Sequence, residues 1–231
     1  MTLLSLSAFA QRQTPEQMLA AKPKDWGGFA RYAEANQNYT GNSKVLFYGD
    51  SITDFWINER PDFFSSNNFI DRGISGQTVE QMLVRFQQDV VGLNPKIMVF
   101  LGGINDIAMN QGPISLENVV NCIKSICELC KVHDITPIIC SVMPCDRFFW
   151  APFKQHPAPD VIKLNSMIKE YVESQGITYV DYHSQFAAED GSLPMDYTKD
   201  GCHPNAAGYE KMESIILPVV RQTAEQLGLE L

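Results

Sequence analysis

The chain lacks both an excess of positive charge and any long apolar run. Its 231 residues include 27 Asp and Glu against 18 Lys and Arg, which gives a formal net charge of −9. Such an acidic chain is repelled by nucleic-acid phosphates and anionic lipid headgroups, so we predict no nucleic-acid partner and no membrane partner. No stretch of the sequence approaches the roughly 20 apolar residues that a bilayer-spanning helix needs.

Several motifs that carry phosphate, metal or acyl chemistry are also missing. The sequence contains neither the phosphate loop G-x-x-x-x-G-K-[ST] nor the dinucleotide fingerprint G-x-G-x-x-G. It also lacks the G-x-S-x-G nucleophile motif of α/β-hydrolases. None of the six cysteines combines with a second C-x-x-C pair or with a histidine at zinc spacing, so we predict no metal site.

The N-terminus resembles the end of a secretory leader. A short apolar run at residues 3–10 ends in Ala8-Phe9-Ala10, which fits the small-x-small cleavage pattern. The charged segment that normally precedes such a run is absent, so an ordinary frayed terminus is the alternative. We favour a truncated leader at residues 1–10 followed by one domain at 11–231. This interpretation predicts a secreted or periplasmic protein, and the alternative predicts a cytoplasmic one.

Apolar segments of strand length alternate with segments of helical periodicity along the chain. Strand 97–101 is apolar throughout, as expected for a strand buried on both faces. The alternation predicts an α/β fold with about five parallel strands covered by helices. Strands are predicted at 44–48, 68–71, 97–101, 136–142 and 177–180, and helices at 14–37, 78–91, 115–132, 160–174 and from Asn205 onward, with a kink or interruption at Pro218.

Chemically useful residues follow several of the predicted strands. Ser51 comes after the first strand, Gly76 after the second and Asn105 after the third, whereas Asp200 and His203 precede the last helix. Because ligands bind beyond the carboxyl ends of strands in open α/β sheets, we expect these residues to meet at one edge.

Acyl transfer needs this set of residue types. A serine hydroxyl becomes a good nucleophile when a base such as His203 accepts its proton, and Asp200 is close enough in sequence to orient that imidazole. The backbone N–H groups of Ser51 and Gly76, with the Asn105 amide, are candidate donors to an oxyanion. Each residue also has a purely structural interpretation, because Ser caps helices, Gly and Asn form turns, and a His can simply begin a helix.

Four sequence blocks resemble those of the SGNH hydrolase superfamily, also called GDSL esterases and lipases. They are Gly49-Asp50-Ser51-Ile52, Gly76, Gly103-Ile104-Asn105-Asp106 and Asp200-Gly201-Cys202-His203, and the resemblance extends over about residues 44–215. It implies a flavodoxin-like three-layer α/β/α sandwich without cofactors. The resemblance also implies that Ser51, Asp200 and His203 are catalytic and that Ser51, Gly76 and Asn105 form the oxyanion hole.

Within the superfamily the chain is most similar to acetylhydrolase-type esterases. That resemblance implies a serine esterase that hydrolyses short-chain, acetyl esters on small molecules or carbohydrates through an acyl-enzyme on Ser51. A lipase or thioesterase for longer acyl chains is the alternative, and a non-catalytic carbohydrate-binding relative is a further one. The predicted loop at 143–159 mixes aromatic and charged residues, which suits a sugar or a small polar ester. The oligomeric state is left open.

Two cysteines fall on predicted loops at the active edge of the sheet. Cys145 follows the fourth strand, and Cys202 lies between Asp200 and His203, where the family resemblance leads us to expect a small apolar residue. Strands four and five are expected to be neighbours, which would bring the two loops together. Two separate reduced thiols are the default interpretation, and a disulfide in an oxidising compartment is the alternative.

Overall fold

The computed structural model describes residues 25–231, so the predicted leader at 1–10 and the predicted domain start at residue 11 lie outside it. The strands of the described part are β1 (Val45–Gly49), β2 (Phe69–Gly73), β3 (Ile97–Leu101), β4 (Thr136–Cys140) and β5 (Thr178–Val180). They form one parallel sheet with the order β2-β1-β3-β4-β5. This order is that of flavodoxin-like folds and confirms the predicted fold class.

Helices cover both faces of the sheet. They are α1 (Ala33–Gln37), α2 (Ser51–Glu59), α3 (Pro61–Asn67), α4 (Val79–Asp89), α5 (Ile104–Ile107), α6 (Leu116–Val132), α7 (Ala158–Ser174), α8 (Tyr182–Phe186) and α9 (Ala206–Gln226). Side chains alternate along β1, so that Leu46 and Tyr48 pack in the core beneath α4, α6 and α7, whereas Val45 and Phe47 pack beneath α2, α3 and α9. No helix within residues 25–231 has the length and the apolar character needed to cross a bilayer.

The helix predicted at 14–37 is wrong over residues 25–32. These residues form turns, and only the short α1 that follows them is helical, whereas residues 14–24 lie outside the described part of the chain. Gly28 adopts a φ of 72°, which is incompatible with a right-handed helix. The Asp25 carboxylate instead accepts the backbone N–H groups of Phe29 and Ala30, each at 2.8 Å. This local bonding competes successfully with the helix.

The last helix is not interrupted at Pro218. Helix α9 runs from Ala206 to Gln226 with Pro218 inside it. Pro218 is exposed, and the carbonyl of Ser214, which loses its helical N–H partner there, belongs to a residue that is also exposed. Water can satisfy such a carbonyl, so the helix continues past the proline.

A buried arginine ties α4 to the carboxyl end of β1. Arg85 is fully buried, forms an ion pair with Asp89 at 3.0 Å and donates to the Gly49 carbonyl at 3.0 Å. It also donates to the side chain of Gln77, in the loop that contains Gly76. The guanidinium lies over the Tyr48 ring, 4.3 Å from its centroid. Arg85 thus fixes two of the segments that were predicted to form the site.

Asp89→Ala is expected to lower the free energy of unfolding by roughly 3–5 kcal/mol, because it leaves the Arg85 guanidinium buried without its carboxylate. Urea unfolding followed by circular dichroism measures this change. The matched control is Glu173→Ala, which removes an exposed partner 3.9 Å from Lys169 and should change stability by no more than about 0.5 kcal/mol. Equal effects of the two substitutions would contradict a structural role for the buried pair.

Candidate active site

Ser51 is the first residue of α2 and directly follows the turn that ends β1. That turn requires a glycine, because a Cβ on Gly49 would lie 2.5 Å from the Leu101 carbonyl oxygen and 2.3 Å from Thr53 Oγ1. Asp50 caps α2 by accepting the N–H of Ile52 at 3.0 Å. The backbone N–H of Ser51 therefore belongs to the free N-terminal end of a helix, where negative charge is stabilised.

Ser51, His203 and Asp200 form a continuous hydrogen-bonded chain. Ser51 Oγ lies 2.9 Å from His203 Nε2, and His203 Nδ1 lies 2.7 Å from Asp200 Oδ2. A proton on Nδ1 satisfies the contact with the carboxylate, which leaves Nε2 to accept the serine proton. The residues predicted from the fourth sequence block and from the first thus meet at the carboxyl edge of the sheet.

The Asp200 carboxylate is held by several donors. Its Oδ1 accepts the backbone N–H groups of Cys202 and His203, both at 2.8 Å. Burial raises the pKa of Asp200, but the hydrogen bonds from the backbone and ring of His203 and from Cys202 outweigh it and keep that pKa below its usual value. Asp200 is therefore ionised at neutral pH and oriented toward the imidazole.

Two aromatic side chains that the sequence did not mark lie next to the His203 imidazole. The Phe55 ring, from α2, has its centroid 5.2 Å from that of His203. The Trp150 ring comes from the loop between β4 and α7, which we call the 141–157 loop, and its centroid lies 5.7 Å from that of the imidazole. These rings give the site an apolar surface beside the candidate base.

Gly76 and Asn105 lie together, as predicted. Gly76 has a φ of 78°, a conformation that favours glycine, and no residue in 25–231 accepts a hydrogen bond from its N–H. Asn105 is buried, and its Nδ2 donates to the Gln77 carbonyl at 3.0 Å. Because an amide nitrogen carries two hydrogens, the second Asn105 N–H remains available to a substrate.

Asn110 contacts both of these residues and was missed by the sequence analysis. Its Nδ2 donates to Asn105 Oδ1 at 2.8 Å and to the Gly76 carbonyl at 3.1 Å. Its Oδ1 accepts the indole N–H of Trp150 at 3.2 Å. Asn110 belongs to no motif that the sequence displays, so no signal marked it in advance.

Two other acidic residues of the sequence blocks have structural roles. Asp106 accepts the Val79 N–H at 3.0 and 3.2 Å and so caps α4, whereas Asp50 caps α2. Burial raises the pKa of each carboxyl to about 7 against the opposing effect of these N–H groups. Within residues 25–231, no three His, Cys, Asp or Glu side chains converge in a way that would hold a metal ion.

Cys145 and Cys202 are both buried, free thiols, and they lie close enough to shift each other's pKa. The neighbouring Cys202 thiol lowers the pKa of the Cys145 thiol, although burial opposes that effect. The Cys145 thiol also lies 3.2 Å from the Arg147 carbonyl. The structure agrees with reduced thiols, but the two are neighbours and not separate. Their disulfide in an oxidising compartment stays a prediction, to be tested by non-reducing mass analysis.

A groove of about 420 Å³ lies beside the loop that carries Asp200 and His203. It runs between the 141–157 loop and residues 190–201, and we call it the polar groove. Arg147 packs directly against Gly201 in the wall of this groove, since a Cβ on Gly201 would lie 3.0 Å from Arg147 Nε. Its walls combine charged and hydroxyl side chains with apolar residues: Asp146, Arg147, His156, Asp190 and Ser192 on one hand, and Leu193, Pro194 and Met195 on the other.

Comparisons with known proteins find relatives of this chain among esterases and lipases. A crystal structure of a GDSL-like lipase from Bacteroides thetaiotaomicron matches with a TM-score of 0.84 and 35% identity, covering 86% of this chain and 100% of that one. An isoamyl acetate-hydrolyzing esterase from Saccharomyces cerevisiae is 24% identical over 206 residues, which is 77% of this chain and 85% of the relative. An acetylxylan esterase from Geobacillus stearothermophilus is 23% identical over 199 residues, 72% of this chain and 88% of the relative.

The family match covers most of the chain and includes the elements that carry the site. Residues 47–211 match the model of the GDSL-like lipase/acylhydrolase family. This range extends from β1 into α9 and therefore contains Ser51, Gly76, Asn105, Asp200 and His203. The chain therefore belongs to the GDSL-like lipase/acylhydrolase family and is a carboxylic ester hydrolase.

Proposed function

We propose that the protein is a serine esterase that hydrolyses short-chain esters, acetyl esters above all, through an acyl-enzyme on Ser51. The observation that carries this proposal is the hydrogen-bonded chain from Ser51 through His203 to Asp200. Ser51 Oγ attacks the ester carbonyl carbon while His203 Nε2 takes its proton. The same proton then passes to the departing alcohol, which leaves the acyl group on Ser51. Water activated by His203 releases the carboxylic acid and restores the serine.

The negative charge that develops on the carbonyl oxygen needs donors that are already in place. The Ser51 backbone N–H, at the start of α2, supplies one of them, and the Gly76 N–H, which has no acceptor among residues 25–231, supplies another. The second hydrogen on Asn105 Nδ2 supplies the third. Donors fixed in this way stabilise the transition state without reorganising during the reaction.

Asn105→Ala is expected to lower kcat by roughly 10²–10³-fold with little change in KM, because the amide bonds the oxyanion more strongly than the ground-state carbonyl. Steady-state kinetics with an aryl acetate measure both constants. Asn121→Ala, on the exposed side of α6, is the matched control and should leave both unchanged. A rise in KM alone would make Asn105 a substrate-binding residue and contradict its assigned role.

Two observations support a small acyl group and a hydroxyl-rich alcohol. Phe55 and Trp150 both lie against His203, and two large rings beside the base suit a small acyl group better than a long chain. The polar groove begins next to the His203 loop and offers the donors and acceptors that sugar hydroxyl groups need. The named yeast and Geobacillus relatives are both esterases for acetate esters. We accordingly propose a small-molecule or carbohydrate ester as the substrate.

One observation favours the alternative of a longer acyl chain. Phe149 and Phe153 of the 141–157 loop are 63% and 68% exposed, and exposed aromatic rings at the mouth of a site suit an apolar ligand. The alternative function is therefore a lipase or thioesterase that uses these rings to hold an acyl tail.

A substrate series that varies the acyl chain and the alcohol separately decides between these functions. With a fixed aryl alcohol, we expect kcat/KM to fall by roughly 10-fold or more between the acetyl ester and acyl chains of eight or more carbons. With a fixed acetyl group, an acetylated oligosaccharide should show a lower KM than the aryl ester. A rate that climbs with acyl length would reject the acetyl preference in favour of the alternative, and turnover of no ester would reject the proposed function.

We also propose a secreted or periplasmic location, which the leader-like residues 3–10 support. A processed leader would leave Gln11 as the first residue of the mature protein. N-terminal sequencing of protein recovered from the producing cells, compared between culture medium, periplasm and cytoplasm, tests this. Unprocessed protein confined to the cytoplasm would contradict it.

A further inference from the structure

We propose that Asn110 is the positioning residue of the oxyanion hole and that Trp150 fixes its orientation, so that the 141–157 loop completes the hole. This inference rests on the proposed function, because it takes Gly76 and Asn105 as oxyanion donors. Asn110 itself does not touch the reacting atoms in this account. It contacts both of the residues that do, and it acts chiefly through Asn105, whose side chain it orients.

The donor and acceptor roles in this hydrogen-bond network follow from its contact with Trp150. An indole nitrogen can only donate a hydrogen bond, so the Asn110 atom 3.2 Å from Trp150 Nε1 must be the carbonyl Oδ1. Asn110 Nδ2 then faces Asn105, and the Asn105 atom 2.8 Å away must be an acceptor, Oδ1. The Asn105 Nδ2 is thereby turned toward the site, where it has one hydrogen to spare.

Two backbone carbonyls favour the same orientation of the Asn110 and Asn105 side-chain amides. The Gly76 carbonyl accepts from Asn110 Nδ2 at 3.1 Å, and the Gln77 carbonyl accepts from Asn105 Nδ2 at 3.0 Å. The backbone N–H of Asn110 also donates to the Asn105 carbonyl at 3.0 Å. If the Asn105 amide were reversed, its oxygen would face the Gln77 carbonyl and its nitrogen would face a donor. Asn110 therefore holds Asn105 in the only orientation that offers a donor to the substrate.

Trp150 gives this network its link to the rest of the site. The indole that donates to Asn110 also lies beside the His203 imidazole. One side chain of the 141–157 loop thus contacts both the residue that orients the oxyanion donors and the candidate base. Positioning of this kind affects kcat, because misplacing a donor by a fraction of an ångström weakens transition-state bonding while leaving ground-state binding nearly intact.

The sharpest variant is Asn110→Asp, which keeps the size of the side chain and one oxygen for Trp150 but replaces the donor facing Asn105 Oδ1 and the Gly76 carbonyl with a second acceptor. We expect kcat for an aryl acetate to fall roughly 10-fold or more with KM nearly unchanged. Asn110→Ala should lower kcat in the same manner. Trp150→Phe keeps an aromatic ring near His203 but removes the indole N–H together with part of the ring, and it should cause a smaller loss of kcat than the Asn110 variants.

The decisive measurement is a double-mutant cycle. If Asn110 acts through Asn105, then adding Asn110→Ala to Asn105→Ala should lower kcat by no more than about 2-fold further. Thermal unfolding of each variant separates this effect from loss of fold, and Asn121→Ala serves as the distant Asn-to-Ala control. Trp150→Phe, read in the same way, tests the network if the Asn110 variants do not fold.

Each outcome has a distinct meaning. If the double variant lost kcat by the product of the two single-variant factors, the positioning role of Asn110 would be overturned. A rise in KM alone in the Asn110 variants would overturn it too. An unchanged kcat in Asn110→Asp and Trp150→Phe would overturn it as well. If Asn105→Ala itself left kcat unchanged, the proposed oxyanion hole would fail, and the failure would lie in the proposed function.

Discussion

Ser51→Ala is expected to lower kcat by about 10⁴- to 10⁶-fold, because it removes the atom that is proposed to carry the acyl group. Within residues 25–231, Ser51 Oγ hydrogen-bonds His203 Nε2 alone, so the substitution costs little structurally. The Asp50 cap and the β1 turn remain in place, and α2 should start at the same residue. Single-turnover and steady-state assays with an aryl acetate, on protein shown to be folded by circular dichroism, measure the loss.

The control for this experiment is Ser214→Ala, a serine on the exposed side of α9. We expect its kcat and KM to match those of the unaltered protein. If folded Ser51→Ala retained turnover within about tenfold of the parent, the serine mechanism would be wrong, because no part of it survives removal of the nucleophile.

Asp200→Asn is expected to lower kcat by about 10⁴-fold, a loss that arises from the wrong imidazole tautomer. Oδ1 of Asp200 accepts two backbone N–H groups, so the asparagine carbonyl oxygen must take that position. The amide nitrogen then faces His203 Nδ1 and donates to it. His203 is forced to carry its proton on Nε2, where it can no longer accept the proton of Ser51.

The matched control is Asp196→Asn, an exposed residue of the same segment. It should leave kcat unchanged. A fall in kcat of less than about tenfold in Asp200→Asn, with the hydrogen bonds to Cys202 and His203 preserved, would show that the carboxylate does not set the tautomer.

The interior strands β1 and β3 were predictable because a parallel strand covered on both faces is apolar along its length. The predicted strand 97–101 coincides with β3, and the predicted strand 44–48 differs from β1 by one residue at each end. The carboxyl ends of these strands carry polar residues that have no place in a core. Their convergence at one edge therefore followed from topology, and the distances confirm it for Ser51, Asp200 and His203.

The supporting residues were not predictable in the same way. The contact between Trp150 and Asn110 spans 40 residues, and neither side chain is part of a periodic pattern or a motif. The helix error at 25–32 has a different cause, since a single positive φ at Gly28 and the Asp25 hydrogen bonds outweighed the spacing of apolar residues. Pro218 failed to end α9 because its exposed position lets water replace the lost helical bond.

Covalent labelling tests the central claim, acyl transfer through Ser51, most directly. Intact-mass analysis after reaction with an organophosphonate ester, followed by peptide mapping, should find a single adduct on Ser51 and parallel loss of esterase activity. Labelling should slow sharply in Asp200→Asn, because the nucleophile then lacks its base. Complete inhibition with the adduct on another residue, or full activity after stoichiometric modification of Ser51, would contradict the account.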